Sequence, residues 1–255
     1  MEGIPPSHPR KKSLEIRERL VDGFRNGLAC EPGLIAQGRG EAFDYLIGER
    51  TEWFAEDAVR AAAACLLLAK WPVISVNGNL AALCPKEIAA LAKATNAKVE
   101  VNLFYRTEKR AQAIAKALRK AGCVGVLGTE KRLAAIPELF SERRKVSPEG
   151  MFKADAVLLA MEDGDRTRAL MRMGKKAIAI DLNPLSVTAR EADITIVDNV
   201  VRAMPALVEA AKRLAKESDA KLLAILLEYD NGKVLDGALL HIGRRLQWLA
   251  RDGHD

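Results

Sequence analysis

Short apolar runs alternate with helix-length segments after Trp71 and Pro72, and this alternation constrains the fold more than any other feature of the chain. The runs, in order, are VISVNGN, KVEVNLFY, CVGVLG, ADAVLLAM, KAIAI and ITIVD. Continuous apolar strands that are separated by helices form a parallel sheet with both faces covered. The sequence therefore predicts an α/β fold of the doubly wound kind.

The segments on either side of this alternation are predicted to be mainly helical. Ser13 is a candidate N-cap for a first helix that ends near Gly27, and a glycine-rich connection, EPGLIAQGRGEAFDYLIGE, follows it. An alanine-rich helix from about Glu52 to Lys70 is apolar around most of its circumference, so we expect it to lie in the core. From about Val200 onward the pattern again favours helices.

A length of 255 residues allows one large domain or two small ones. We expect a single α/β domain composed of a first helix and glycine-rich loop (1–50), a core (51–200) and C-terminal helices (201–255). The longest apolar run is far shorter than the ~20 residues that cross a bilayer, and no signal-like segment opens the chain. The sequence predicts a cytoplasmic protein with no membrane partner.

Charge and composition indicate the class of ligand. The net charge is +6, but basic residues are interleaved with acidic ones and aromatic residues make up only 5%. This pattern disfavours nucleic acid as a partner, and polyanionic small molecules explain the positive excess equally well. The four cysteines form no CxxC pair, so we expect neither a zinc site nor disulfides.

Polar residues follow five of the predicted strands. In open α/β sheets, ligands bind at the carboxyl ends of the strands, so these positions are candidate site residues. The alternative is that turns and helix N-caps favour Asn, Asp and Gly at strand ends, as we expect for Thr107 and Asp165. The five sets are Asn77, Gly78 and Asn79; Arg106 and Thr107; Glu162, Asp163 and Asp165; Asp181, Leu182 and Asn183; Asp198 and Asn199.

A nucleotide suits this polar edge. Asp181 is placed to accept both ribose hydroxyls, and a neighbouring asparagine can pair with an adenine edge. Neither a G-x-G-x-x-G fingerprint nor a P-loop occurs, so phosphate would be held elsewhere. The candidate is QGRGE (37–41), in which two glycines allow backbone N–H groups to turn toward an anion beside Arg39. Arg17 and Arg19 can converge there, although an ordinary surface turn is the alternative.

No nucleophilic or metal-binding arrangement is evident. The histidines show no metal-ligand spacing, and no Ser/His/Asp or Cys/His pattern stands out. We therefore assign no histidine to catalysis and no covalent nucleophile, and the metal ligands stay open.

Seven segments occur together and in order: IPPSHPR, GLIAQGRGEAFDYLIGE, PVISVNGN, VNLFYRT, EDGDRT, IDLNPLSVTA and ITIVDN. With these segments the chain resembles the archaeal phosphopantothenate synthetase family, also called 4-phosphopantoate–beta-alanine ligase. The resemblance implies a Rossmann-like core and a homodimeric, ATP-dependent ligase of coenzyme A biosynthesis. It implies that 4-phosphopantoate is joined to β-alanine with release of AMP and diphosphate.

The resemblance also implies ATP contacts at matching positions, with Arg39 in a catalytic role. Those positions are Arg17, Arg39, Asp181, Leu182, Asn183, Val187, Thr188, Asn199 and Val200. Val187 stands where the family is associated with arginine. An acyl-adenylate would require no protein nucleophile, and Mg²⁺ would share the charge of the phosphates.

Position in the polar edge suggests sites for the other reactants. Asn77 and Asn79 are assigned to a hydroxyl or carboxylate of the acyl substrate, and Arg106 to its phosphate. Glu162, Asp163 and Asp165 can receive the ammonium of β-alanine or Mg²⁺. Two other classes stay open, namely a nucleotide-dependent oxidoreductase or regulator, and a basic nucleic-acid-binding protein.

Overall fold

The computed structural model describes residues 5, 7, 8 and 10–253, and a five-stranded sheet lies at its centre. The strands are β1 (Pro72–Val76), β2 (Lys98–Val101), β3 (Ala134–Ala135), β4 (Lys145–Val146), β5 (Ala156–Ala160), β6 (Lys176–Ile180) and β7 (Ile194–Ile196). The central sheet has the order β2-β1-β5-β6-β7, and every neighbouring pair in it is parallel. Strands β3 and β4 form a small antiparallel pair outside it.

The direction of strand addition reverses at β1, because β2 lies on one side of it and β5 on the other. Such a reversal leaves a crevice at the carboxyl ends of the two strands beside it, which is where open α/β sheets bind ligands. The fold predicts a ligand site close to the residues that follow β1 and β5.

Helices cover both faces of the sheet. They are α1 (Lys11–Arg25), α2 (Glu31–Ile47), α3 (Trp53–Leu68), α4 (Gly78–Leu83), α5 (Pro85–Thr95), α6 (Glu108–Lys120), α7 (Gly164–Arg172), α8 (Val187–Glu191), α9 (Val200–Leu214), α10 (Asp219–Glu228) and α11 (Asn231–Asp252). Ile74 and Val76 belong to the large core beneath α3, α5 and α9, whereas Val73 faces a second core beneath α7. The predicted doubly wound α/β fold is confirmed.

Helix α3 lies in the core, as its composition predicts. Its residues from Ala61 to Ala64 are fully buried, and the helix packs against α9, α10 and β7. Small side chains on all sides allow these neighbours to approach closely. Among the described residues, no helix combines the length and the hydrophobicity that crossing a bilayer requires.

The predicted glycine-rich loop is wrong, because EPGLIAQGRGEAFDYLI forms the 17-residue helix α2. Glycine inside a helix costs about 1 kcal/mol relative to alanine, but a tertiary contact requires its small size at Gly33. A Cβ at Gly33 would lie 2.5 Å from Asn79 Oδ1, whereas one at Gly40 would make an ordinary contact with Leu182 at 3.5 Å. Gly33 therefore lets α2 approach the carboxyl edge of the sheet.

Three local predictions are also wrong. Ser13 is not an N-cap, because α1 begins at Lys11 and the Ser13 hydroxyl donates to Arg10 O. CVGVLG forms only one bridge, between Leu127 and Glu100, since Gly125 and Gly128 have positive φ angles that interrupt a strand. Asp165 lies in the first turn of α7 rather than at its N-cap.

Candidate active site

A cleft of about 500 Å³ lies at the carboxyl ends of β1, β5, β6 and β7, and its size is that of a small-molecule site. One side of it is formed by α2. Three arginines line it, each from a different segment: Arg39 from α2, Arg110 from α6, and Arg143 from the segment between α6 and β5. The crevice that the strand order predicts is therefore present, and three arginines and four carboxylates line it.

The structure brings most of the predicted site residues to this cleft. The residues that line it are Arg39, Asn77, Asn79, Asp181, Leu182, Asn183, Asn199 and Val200, with Glu162, Asp163 and Asp198. Arg17, Arg106, Val187 and Thr188 are not among the residues that line it. The individual contacts with ligands stay predictions.

Asp181 and Asn183 organise the loop that follows β6. Asp181 Oδ1 accepts a hydrogen bond from Asn183 N, its Oδ2 accepts one from the Ser186 hydroxyl, and Asn183 Oδ1 accepts one from Leu185 N. Burial raises the pKa of Asp181, while these hydrogen bonds lower it. The alternative that Asp and Asn at strand ends shape turns is therefore correct for this loop. It is compatible with ribose binding, because an ionised carboxylate has about four acceptor positions.

Asp198 and Asn199 fasten α2 to the start of α9. Asn199 Nδ2 donates to Asp44 Oδ2 over 2.7 Å, and Arg202 forms ion pairs with both Asp44 and Asp198. The Asp198 carboxylate also accepts a hydrogen bond from Thr51. This buried network fixes the wall of the cleft that carries Arg39.

Asn77 and Asn79 fix the opposite end of α2 and the start of α4. Asn77 Oδ1 accepts from Leu80 N as an N-cap, and its Nδ2 donates to Ala160 O across the crevice. Asn79 Nδ2 donates to Gly33 O. Both amides thus hold the strand ends and α2 together at the cleft.

Four predicted residues have other contacts. Arg17 forms an ion pair with Glu41, and the Arg106 guanidinium donates to Gly128 O. Thr188 donates its hydroxyl to Glu162 O, and Val187 packs where a side chain on residue 164 would lie. Val187 and Thr188 therefore support the floor of the cleft from α8.

The anion cradle predicted for QGRGE is wrong in its backbone part, because α2 is helical there and its N–H groups are directed along the helix. The side chain of Arg39 is exposed and lines the cleft. Among the described residues it has neither a hydrogen-bond partner nor an ion-pair partner. Arg39 is thus an unpaired cation on the side of the cleft where Asp181 and Asn183 lie.

Sequence reasoning missed Arg110 and Arg143, because neither follows a strand. Arg143 lies in the 3-10 turn Glu142–Arg144, and Asn102 Nδ2 holds this turn by donating to Arg143 O and Lys145 O. No sequence motif indicates that Arg110 and Arg143 lie in the cleft. The only available signal is the crevice that the strand order predicts.

Both carboxylate oxygens of Glu162 are already paired with arginine side chains. One of its carboxylate oxygens bonds with Arg143 and the other with Arg166, which is fully buried. Arg143 Nε also lies 3.0 Å from Asp163 Oδ2, as an ion pair without a well-directed hydrogen bond. Binding of ammonium or Mg²⁺ directly to Glu162 is therefore disfavoured. Within the described part of the chain, no group of three or more His, Cys, Asp or Glu side chains is arranged to hold a metal.

Comparisons with known proteins agree with the geometry. The sequence model of the phosphopantothenate/pantothenate synthetase family matches residues 54–245. The 4-phosphopantoate–beta-alanine ligase of Thermococcus kodakarensis is 57% identical, over 99% of this chain and 97% of that protein. The ligase of the same name from Methanosarcina mazei is 48% identical, over 99% of each chain.

Proposed function

This chain belongs to the phosphopantothenate/pantothenate synthetase family, and from that premise we propose that it is an ATP-dependent ligase of coenzyme A biosynthesis. It condenses 4-phosphopantoate with β-alanine to 4′-phosphopantothenate and releases AMP and diphosphate. The observation that carries the proposal is the cleft at the carboxyl edge of the sheet, where three arginines meet the loops after β1, β5, β6 and β7.

The reaction proceeds in two balanced steps. A carboxylate oxygen of 4-phosphopantoate attacks the α-phosphorus of ATP, and the bond to diphosphate breaks. The amine of β-alanine then attacks the acyl carbon, loses a proton and displaces AMP. Both reactants of the first step are anionic, so preorganised cations stabilise its transition state. Arg39 supplies one such charge beside the nucleoside site at Asp181 and Asn183.

This route needs no protein thiol, and the three buried cysteines are not suited to supply one. Burial raises the pKa of Cys65 and Cys123 to about 11 and that of Cys84 to about 12. At neutral pH these thiols are protonated and act as small packing groups, because the thiolate is the nucleophilic form. The carboxylate of the substrate serves as the nucleophile instead.

Mg²⁺ belongs to the same proposal. This ion commonly retains water and binds through phosphates with one or two carboxylates, so it does not need a protein cage. Asp163 also pairs with Arg143, but its side chain is 41% accessible at the cleft, so it is more open to the ion than the buried Glu162. When bound, Mg²⁺ would offset phosphate charge.

Transfer of ¹⁸O tests the adenylate step. The acyl substrate is labelled in its carboxylate, and the AMP that forms is analysed by mass spectrometry. The proposal predicts that AMP carries one labelled oxygen, because the carboxylate oxygen that bonds to phosphorus leaves with it. Label found in inorganic phosphate instead would indicate an acyl-phosphate and contradict the adenylate.

We also infer a cytoplasmic homodimer. Helix α3 is covered by its own chain. Exposed apolar side chains lie instead on α10 and α11, including Leu227 (87%), Leu240 (60%) and Trp248 (44%). We infer that a second copy of the chain covers these two helices, since exposed apolar side chains mark interaction sites.

Light scattering is expected to give twice the chain mass, and Leu227→Glu with Leu240→Glu to give a monomer. A monomeric parent protein would contradict the inference.

A further inference from the structure

Arg110 is held at the cleft by main-chain oxygens rather than by a carboxylate. Its Nε donates to Leu28 O and its Nη1 to Tyr105 O, each over 2.9 Å. Among the described residues it has no ion-pair partner, and Nη2 has no hydrogen-bond partner. A guanidinium fixed in this way keeps its full charge and a free donor for an anion.

The close approach of Arg110 to the strand end depends on Gly78, the residue after Asn77. A Cβ at Gly78 would lie 2.7 Å from Arg110 Nη2 and 2.1 Å from Leu28 O. The absence of a side chain at this position therefore lets the guanidinium lie against the turn that follows β1. This places Arg110 in the cleft beside the segments that follow β1 and β2.

The other arginines of the cleft are in different electrostatic situations. The charge of Arg143 is offset by Glu162 and Asp163. Arg39 is free, but it lies on the side of the cleft that follows β6, where its charge acts on Asp181. Strands β1 and β6 are two strand spacings apart, or about 10 Å. Arg39 and Arg110, which have no ion-pair partner among the described residues, thus lie in two separate parts of the cleft.

We propose that Arg110 binds the phosphate of the acyl substrate, and that Arg39 serves the nucleotide. This inference rests on the proposed function, which supplies an acyl substrate with a phosphate group. It replaces the assignment of that phosphate to Arg106, whose guanidinium donates to Gly128 O and is absent from the lining of the cleft. A forked arginine with an open Nη2 is suited to a terminal phosphate.

Steady-state kinetics of Arg110→Gln test the assignment. Truncating one partner of a charge-assisted pair is costly, so we expect the KM for 4-phosphopantoate to rise about 100-fold. The KM for ATP should change less than threefold. Arg110→Lys, which keeps the charge but loses the fork, should give an intermediate KM and guards against misfolding of the first variant. Thermal melts check that both variants are folded.

Two further variants sharpen the test. Arg119→Gln removes the same charge from an exposed position in the last turn of α6 and should leave every KM unchanged. Arg106→Gln tests the rival phosphate site. Three results would each overturn the assignment. The KM for 4-phosphopantoate stays unchanged in the Arg110 variants, the KM for ATP rises equally in them, or the large rise in the KM for 4-phosphopantoate occurs in Arg106→Gln instead. A parent protein that does not turn over 4-phosphopantoate would overturn the proposed function itself.

Discussion

Arg143 and Glu162 form an ion pair whose side chains are only 8% and 2% exposed, directly beside the cleft. The second oxygen of Glu162 pairs with Arg166, which is fully buried. Two guanidinium groups thus share one carboxylate. Because a buried charge that loses its partner is costly, Glu162 is the residue on which the position of Arg143 in the cleft depends.

Glu162→Gln is therefore expected to destabilise the fold. Removing one partner of a buried pair costs about 3 to 5 kcal/mol in the free energy of unfolding, which urea denaturation measures. Glu138→Gln is the matched control, since its pair with Arg172 is exposed, with side chains 65% and 69% accessible, and such pairs contribute about 1 kcal/mol or less. Equal losses in the two variants would show that burial does not set the energy of the Glu162 pair.

Arg39→Ala is expected to lower turnover strongly with little effect on the melting temperature, because this exposed side chain has no partner to lose. Removal of one donor that stabilises developing charge costs about 2.7 to 4 kcal/mol, or about 100- to 1,000-fold in kcat. Arg213→Ala, at an exposed position in the last turn of α9, is the control. An Arg39 variant that keeps its kcat would remove this residue from the mechanism.

Asp181→Asn is expected to raise the KM for ATP about tenfold while the KM for 4-phosphopantoate stays constant, since the charge that receives ribose hydroxyls is lost. Asp193→Asn is a control at the opposite edge of the sheet, where Asp193 pairs with Lys176. If Asp181→Asn binds ATP as tightly as the parent does, Asp181 is a turn residue alone.

Glu100 is expected to make stability depend on pH. Its carboxylate is fully buried and accepts hydrogen bonds from Ser147 N and Met151 N, and burial raises its pKa from 4.5 to about 7. Between these values the folded state holds more protons than the unfolded state, so stability falls as pH rises from 4.5 to 7. Relative to Glu100→Gln, the parent should lose about 3 kcal/mol across this range and little above it. Parallel stability curves for the two proteins would contradict the assignment.

The sheet and the polar edge of the cleft could be predicted from the sequence, because short apolar runs mark the strands and polar residues follow where the strands end. Asn77, Asp181 and Asn199 all lie where that reasoning puts them. Their contacts also show why single positions are ambiguous, since each of them shapes a turn or caps a helix as well.

Helix α2 and two of the cleft arginines, Arg110 and Arg143, could not be predicted from the sequence. Gly33 and Gly40 lower the local helix propensity, and the close approach of Asn79 explains only Gly33. Arg110 has the sequence context of a solvated helix face, and its role depends on Gly78, more than thirty residues earlier in the chain. Contacts between distant segments leave no local pattern that a single sequence can show.

Product analysis with purified protein, ATP, Mg²⁺ and 4-phosphopantoate, with β-alanine present or withheld, tests the AMP-forming ligase reaction most directly. That reaction should give AMP and diphosphate in amounts equal to the 4′-phosphopantothenate formed, with turnover that requires β-alanine. ADP and inorganic phosphate in place of AMP and diphosphate would contradict it.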